Sequence, residues 1–335
     1  MIKKERQIPP KIEKLEALLR RLPPTHSKKE ILSEELAKAY AGFRGEKSLD
    51  YYFDFLPSEK YFILHDLRIP DSENRYFQLD TLIISACFIL IIEVKNISGT
   101  LTFDRTFHQL IRELDGNEEA FPDPFLQTSR QESQLKNLLT KYKYPSIPVI
   151  SLIVISKPST IIKTTSHFKE TSQKVIHAAS LPAKLNDLAS VYKKEILTKR
   201  DLNKIIQLLV KQHSPTYPDV LQKFHIQPSE IITGVHCPIC TTLPLHRQRG
   251  AWSCPVCKSN IENAHVYALK DFYLLISPII SNKQLREFLQ LPSISIATKI
   301  LASLNLQYSG NFKNRQYELS FTNLNEIVKA HSAKL

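Results

Sequence analysis

The chain has 335 residues, enough for two or three domains, and an apolar content of 42%, which suits a folded protein rather than a disordered one. Its formal charge of +12 favours a polyanionic partner, and the first 29 residues, with nine Lys or Arg and three Glu, hold +6 of it. No apolar run is long enough to span a bilayer, residues 1–6 carry no hydrophobic signal core, and no strongly amphipathic anchor stands out. The expectation is a cytoplasmic protein with nucleic acid, not membrane, as its partner.

In chain order, residues 10–21 show helical periodicity behind a starting proline. A second helix is expected over 27–40, running on toward 55 unless Gly42 and Gly45 interrupt it. Residues 62–67 read as a strand, and 78–96 as two strands of a buried hairpin rich in β-branched and aromatic residues. Short strands at 101–103 and 109–114, an amphipathic helix over 126–142, and strands at 149–155 and 174–177 complete an α/β core. Residues 181–213 read as two helices, the second over 198–212, and Pro215 and Pro218 mark a linker. Further on, 282–289 is helical, Pro292 and Ser293 break and cap, and Ile296, Ile300, Leu301 and Leu304 recur at helical spacing. A hairpin over 307–319 follows, with Gly310, Lys313 and Arg315 near its tip. Helix, turn, helix and basic hairpin make the outline of a winged helix, in which Ser295, Thr298 and Lys299 face DNA and Lys313 and Arg315 meet phosphates. Any small helical domain gives similar periodicity.

Asp80, Glu93 and Lys95 carry the chemistry. Charges at the rim of so apolar a stretch are costly unless paired or bound to metal. A hairpin centred on Ala86-Cys87 sets Asp80 opposite Glu93, and Glu93 and Lys95, two apart, share one strand face. Two facing carboxylates with room for water and phosphate suit Mg²⁺ or Mn²⁺, and such an ion supports phosphodiester hydrolysis. A strand-edge salt bridge to Lys95 is the other reading of the same three residues. The tip Ala86-Cys87 lacks the Gly or Asn that a two-residue turn favours, which leaves the pairing of Asp80 with Glu93 open.

The run Gly42-Phe43-Arg44-Gly45-Glu46, then Gln78-Leu79-Asp80, then Glu93-Val94-Lys95-Asn96 followed by Gly99, then Asp123-Pro124-Phe125-Leu126-Gln127, resembles the nuclease-related domain, NERD, of the PD-(D/E)xK nuclease superfamily. The resemblance covers about residues 36–160. It departs from the superfamily pattern at Leu79, where the proline of the PD motif would stand. It implies a restriction-endonuclease-like core with a mixed central sheet flanked by helices. By it Asp80 and Glu93 are metal ligands and Lys95 is the catalytic lysine. Glu46 is the accessory acid of the first helix, and Gln127, on the helix after the core sheet, helps position substrate or water. Gln131, one turn beyond Gln127, assists, and Gln78 orients the site from two residues before Asp80.

Cys237-Pro238-Ile239-Cys240 and Cys254-Pro255-Val256-Cys257 are two C-x-x-C knuckles thirteen residues apart, a strong signal for one tetrahedral zinc site in a zinc ribbon. Four sulfurs leave no open position, so the zinc is structural; a redox pair is the competing reading. Trp252 is expected to pack over the knuckles. Arg247 and Arg249 at the ribbon's hairpin tip are placed to touch phosphate or stand in solvent, and Cys87 is a leftover core thiol.

The domains expected are a basic helical extension (1–35), the NERD domain (36–180), a helical segment and linker (181–234), the zinc ribbon (235–268) and a small winged-helix-like domain (269–335). The function expected is a Mg²⁺- or Mn²⁺-dependent nuclease acting on DNA, with RNA as the other substrate class. The alternative is a non-catalytic DNA-binding or regulatory protein on a nuclease-like scaffold.

Overall fold

The structure is a computed structural model that describes residues 2–71, 73, 75–165 and 169–332, with the backbone alone at 169, 170, 313 and 329–332. Its elements begin with β1 (Ile2–Lys4), α1 (Pro10–Arg21), α2 (Lys29–Lys47), α3 (Asp50–Phe53), β2 (Phe62–Pro70), β3 (Tyr76–Ile84), β4 (Ile89–Lys95), β5 (Thr100–Asp104), β6 (Gln109–Leu114), β7 (Asn117–Pro122), α4 (Pro124–Lys141), β8 (Val149–Ile155), β9 (Ile161–Thr164), α5 (Lys169–Lys174), β10 (Val175–His177), α6 (Leu181–Val191) and α7 (Lys199–Gln212). There follow α8 (Val220–Phe224), β11 (His246–Gln248), β12 (Ala251–Ser253), β13 (Asn260–Ile261), α9 (Ala264–Leu275), β14 (Ile279–Ser281), α10 (Asn282–Leu289), α11 (Ile294–Ser303), β15 (Tyr308–Ser309), β16 (Gln316–Glu318) and α12 (Phe321–Ser332). Two compact units share them: Met1–Pro9 with Lys38–Thr216, and Pro10–Ala37 with Tyr217–Leu335.

The first unit is built on a mixed sheet of order β1-β2-β3-β4-β8-β10, antiparallel across β2-β3-β4 and parallel at both flanks. Its central strand, Ile89-Leu90-Ile91-Ile92, is buried throughout, as expected for a strand covered on both faces. On one face Leu82, Ile84, Ile89 and Ile91 pack with Leu135 and Leu138 of α4 and Leu202 and Ile205 of α7. On the other, Ile83, Leu90 and Ile92 pack with Leu49, Phe53, Leu181 and Leu185. A second sheet, β7-β6-β5-β9, adds Leu101, Phe103 and Leu110 to a smaller core with Phe125 and Ile153. Helix α2 runs through Gly42 and Gly45 to Lys47 without a break. Helix α7 opens with the capping box of Thr198 and Asp201, which satisfies two backbone N–H groups.

In the second unit, β11-β12-β13 form a small ribbon whose two-residue tip is Arg249-Gly250. Beyond it α9, β14, α10, α11, β15 and β16 follow in order, with β16 between β14 and β15. Ser293 caps α11, as the serine before its apolar period predicts, and Ser281 caps α10. Helix α1 belongs to this unit: Leu15 and Leu18 share a core with Val220, Leu221 and Leu274.

Candidate active site and metal centre

The hairpin register decides where the carboxylates meet. Strands β3 and β4 pair Thr81 with Ile92, Leu82 with Ile91, Ile83 with Leu90 and Ile84 with Ile89. One further step along the same register places Asp80 across from Glu93. The tip is two residues long despite its Ala-Cys sequence. Ser85 N donates to Phe88 O (3.0 Å), while the amides of Cys87 and Phe88 donate to Ser85 Oγ (3.3 and 3.0 Å). The serine hydroxyl thus takes amide protons at a turn that carries no Gly or Asn.

Helix α2 brings Glu46 to the same rim because Gly45 has no side chain. A Cβ there would lie 2.3 Å from Asn96 Cβ, so only glycine lets the helix close on the end of β4. Asn96 Nδ2 donates to Ala41 O (2.7 Å) and locks the contact. Gly99, at φ +97°, turns the chain away from β4 where a Cβ would meet Glu113 O at 2.3 Å.

Helix α4 supplies the amides. Asp123 caps it through Phe125 N (2.8 Å), Pro124 fills its first turn, and Arg105 pins the Asp123 carboxylate from outside (2.8 Å). Gln127 and Gln131 then face the sheet one turn apart. Lys95 Nζ bridges Glu93 Oε1 (2.8 Å) and Gln127 Oε1 (3.1 Å). Gln131 Nε2 donates to Glu93 Oε2 (3.0 Å) and to Gln78 O (2.8 Å). Glu93 is therefore held at both oxygens while 3% exposed. Asp80 Oδ2 accepts from Val94 N (2.9 Å). The Gln78 side chain points elsewhere, to Asp66 Oδ1 (3.2 Å).

Two neighbours of this cluster escaped the sequence reading. Strand β2 pairs His65 with Thr81 and Leu67 with Leu79, which puts Asp66 across from Asp80 on the far side of β3. Asp66 holds a left-handed φ of +48° in mid-strand, an uncommon conformation for a residue with a Cβ. Arg6, buried after β1, donates to Glu46 Oε2 (2.6 Å). No local pattern marks either residue; only the register of β2 and the addition of β1 to the sheet bring them in.

Electrostatics set this cluster apart. Burial, then Glu93, then Glu46 raise the Asp80 carboxyl well above its ordinary range. Burial pushes Glu46 up to about 7 against the pull of Arg6, with Asp66 and Glu93 adding to the rise. Carboxylates gathered beyond what Lys95 and Arg6 neutralise are the donor set a hard divalent cation needs.

Residues 41–156 match the family model described as nuclease-related domain, NERD. The chain carries a NERD domain. No curated protein matches the chain. Among solved structures, the crystal structure of protein VC1899 from Vibrio cholerae is similar at 12% identity and a TM-score of 0.26, over 56% of this chain and 52% of that one. The chain thus spans about half the length of that protein.

The NERD match includes Glu46, Asp80, Glu93, Lys95, Gln127 and Gln131; Arg6 lies before it and all four knuckle cysteines lie after it. Asp80 and Glu93 offer hard oxygens that could hold a divalent cation, with Glu46 at the rim, although among the described residues only the cysteines bring three or more ligand atoms within 4.8 Å of one another.

The cysteine group lies in the second unit. The sulfurs of Cys237, Cys240, Cys254 and Cys257 all lie within 4.8 Å of one another. Cys237 and Cys257 are 3.6 Å apart, and Cys240 and Cys254 are 3.4 Å apart. Those distances are too long for disulfides and near the roughly 3.8 Å edge of a tetrahedron with metal–sulfur bonds of about 2.3 Å. The group can hold a structural metal such as zinc. Trp252, 1% exposed, shares a buried cluster with Cys237 and Cys254.

Three of the basic residues singled out in the sequence meet. Arg247 and Arg249 of the ribbon and Lys299 of α11 line one cavity of about 380 Å³, together with Asn263, Ser303 and one carboxylate, Glu262. The Arg247 guanidinium lies over the Trp252 ring at 5.1 Å, with Nη1 buried and unbonded. Arg315 does not join them; it stacks on Tyr308 at 4.2 Å. The Lys313 side chain lies outside the described residues.

Proposed function

We propose that this protein is a metal-dependent nuclease that hydrolyses phosphodiester bonds of nucleic acid, DNA before RNA. The observation that carries the reading is the convergence of Asp80, Glu93 and Lys95 at one end of the β3–β4 hairpin, inside the part of the chain that matches NERD.

Asp80 and Glu93 would hold Mg²⁺ or Mn²⁺. The bound ion supplies Lewis acidity toward a phosphoryl oxygen and an acidified water. Every other role belongs to the chain. Lys95 Nζ, fixed between Glu93 and Gln127, directs its ammonium protons at the attacking water and the charge that builds on phosphorus. Gln131 and Lys95 together hold the Glu93 carboxylate in one orientation. Glu46, with Oε2 engaged by Arg6, would reach the same ion or its water.

The second unit would hold the substrate. A structural zinc at Cys237, Cys240, Cys254 and Cys257 fixes the ribbon. The Arg247, Arg249 and Lys299 cavity offers cations to the phosphate backbone. The helix–strand–helix–helix–strand–strand order after the ribbon supports a winged-helix-like module, with Arg315 on its hairpin as a further phosphate contact and Lys313 beside it in sequence. A net charge of +12 would draw DNA to the protein and make binding fall with salt. A cytoplasmic location completes the proposal. No described helix is long and apolar enough to cross a membrane.

The test is cleavage of labelled single-stranded DNA, double-stranded DNA and RNA by the full-length protein with Mg²⁺ or Mn²⁺, beside Lys95→Ala. Cleavage that disappears in the variant supports the nuclease and names its substrate. Tight, salt-sensitive binding without cleavage of any substrate would replace it with a nucleic-acid-binding scaffold.

A further inference from the structure

Residues 2–9 lie well before the NERD match, yet they pack into the same compact unit. Strand β1 adds to the edge of the central sheet parallel to β2, pairing Ile2 with Ile63 and Lys4 with Leu64. Lys4 Nζ donates to the carbonyls of His65 (2.8 Å) and Asp66 (2.9 Å) and so braces the left-handed step at Asp66. Two residues on, Arg6 enters the unit with its side chain 5% exposed. Nη1 donates to Glu46 Oε2 at 2.6 Å. Nη2 donates to His65 Nδ1 at 2.9 Å and to Thr81 Oγ1 at 3.2 Å, and lies 3.5 Å from Asp50 Oδ1.

We infer that Arg6 is a positioning residue for Glu46, and that this N-terminal arm completes the active site; the inference rests on the nuclease reading above. The geometry is that of a second layer of support. Thr81 immediately follows Asp80, and its side chain and His65 lie on the opposite face of the sheet from the Asp80–Glu93 pair. Arg6 therefore reaches Glu46 from behind the site. It fixes one carboxylate oxygen of a side chain close enough to Asp80 and Glu93 to raise the Asp80 carboxyl and to be raised by Glu93. A glutamate on the last turn of a helix has three free torsions. A planar guanidinium already held by His65 and Thr81 removes that freedom, as a lysine's single ammonium would not. Partners that orient ligand side chains in this way typically govern metal affinity or activity by about tenfold to a hundredfold.

The experiment uses the full-length protein and Mn²⁺ as the probe, with free Mn²⁺ counted by electron paramagnetic resonance. Asp80→Asn marks which binding belongs to the carboxylate site. Arg6→Ala is compared with wild type, and again in the E46Q background. Arg6→Gln is read in the same way should Arg6→Ala fail to fold, because it keeps a donor for Thr81 without the charged fork on Glu46. The expected result is an Arg6→Ala loss of about tenfold to a hundredfold in Mn²⁺ affinity and in kcat, with KM for DNA nearly unchanged. In the E46Q background the same substitution adds little, since an effect exerted through Glu46 is already lost. Equal losses with Glu46 present and replaced would overturn the inference, as would an Arg6→Ala protein that binds Mn²⁺ like wild type. Wild type that binds Mn²⁺ through Asp80 yet cuts nothing would sink the nuclease reading alone, and the Mn²⁺ measurement would still judge Arg6. Mn²⁺ binding indifferent to Asp80→Asn would remove both.

Discussion

Each unit of this protein buries a cluster of charges, and the two clusters are built on opposite balances. In the second unit Asp271, 1% exposed, accepts from Arg21 Nε (2.8 Å) and from Arg20 Nη2 (2.9 Å). Arg21 also donates to the carbonyls of Ile232 and Gly234 and lies over the Phe288 ring at 4.4 Å. Burial would raise the Asp271 carboxyl, but Arg21 and Arg20 outweigh it and hold it below its ordinary value. In the first unit burial and like charge win: Asp80 and Glu46 are both raised, with Lys95 and Arg6 too few to balance them. A cluster that neutralises itself fastens the fold. A cluster left short of positive charge stores a demand for a cation, and that shortfall separates a site from a staple.

The sharpest way to break the comparison is to remove one carboxylate from each cluster. Asp80→Asn is expected to lower kcat/KM for nucleic acid by more than about a hundredfold, since a ligand should matter more than the residues that orient it. The same change is expected to raise the melting temperature of the metal-free protein by relieving repulsion. Asp271→Ala should act in reverse, lowering stability by about 3–5 kcal/mol because Arg21 is left buried without its partner. Chemical denaturation and steady-state kinetics on the two variants read both effects. A destabilised Asp80→Asn protein would mean that the first cluster is a staple as well.

The pH response should differ in sign. A raised carboxyl pKa means the folded chain holds the proton more tightly than the unfolded chain. The contribution of Glu46 to stability is then complete below about 4.5 and lost as pH rises through about 7. Asp80, also raised, works in the same direction. Asp271, held low, contributes above its ordinary value of 3.8 and loses that contribution as pH falls below it. Melting curves of metal-free protein between pH 5 and 8 should therefore gain stability at the upper end when Mg²⁺ is added. Glu46→Gln should flatten part of the slope. A slope unchanged in Glu46→Gln would show that this carboxyl does not carry it.

The smallest effect tests delivery. Gly45→Ala places a methyl against Asn96 and should destabilise the protein by about 1–3 kcal/mol, with cleavage reduced as Glu46 shifts. Alanine tolerated with full activity would mean that the helix can yield without moving the acid.

Much of this arrangement was legible in the sequence, for local reasons. The midpoint of the apolar hairpin fixed the Asp80–Glu93 pairing because antiparallel register is set by the turn, and Ser85 supplied what Ala86-Cys87 lacked. The two knuckles announced the cysteine group because each pair of ligands is three residues apart. Strand β7 went unread although Asp115-Gly116 before it is a strong two-residue turn signal, since its residues are mostly exposed and polar. Arg6 and Asp66 were invisible for a different reason. Arg6 reaches its partner across forty residues, and Asp66 owes its place to a strand register and an unusual φ that no period of hydrophobicity reveals. The cavity shared by Arg247, Arg249 and Lys299 likewise depends on a ribbon and a helix folding together.

The route of the backbone has one further consequence. The chain enters the NERD-containing unit at its first residues, leaves it after Pro9 and returns at Lys38. A unit threaded in this way cannot be exchanged as a single cassette. Cutting at the matched family limits would discard the segment that carries Arg6 and, with it, the strand β1 that pairs with β2.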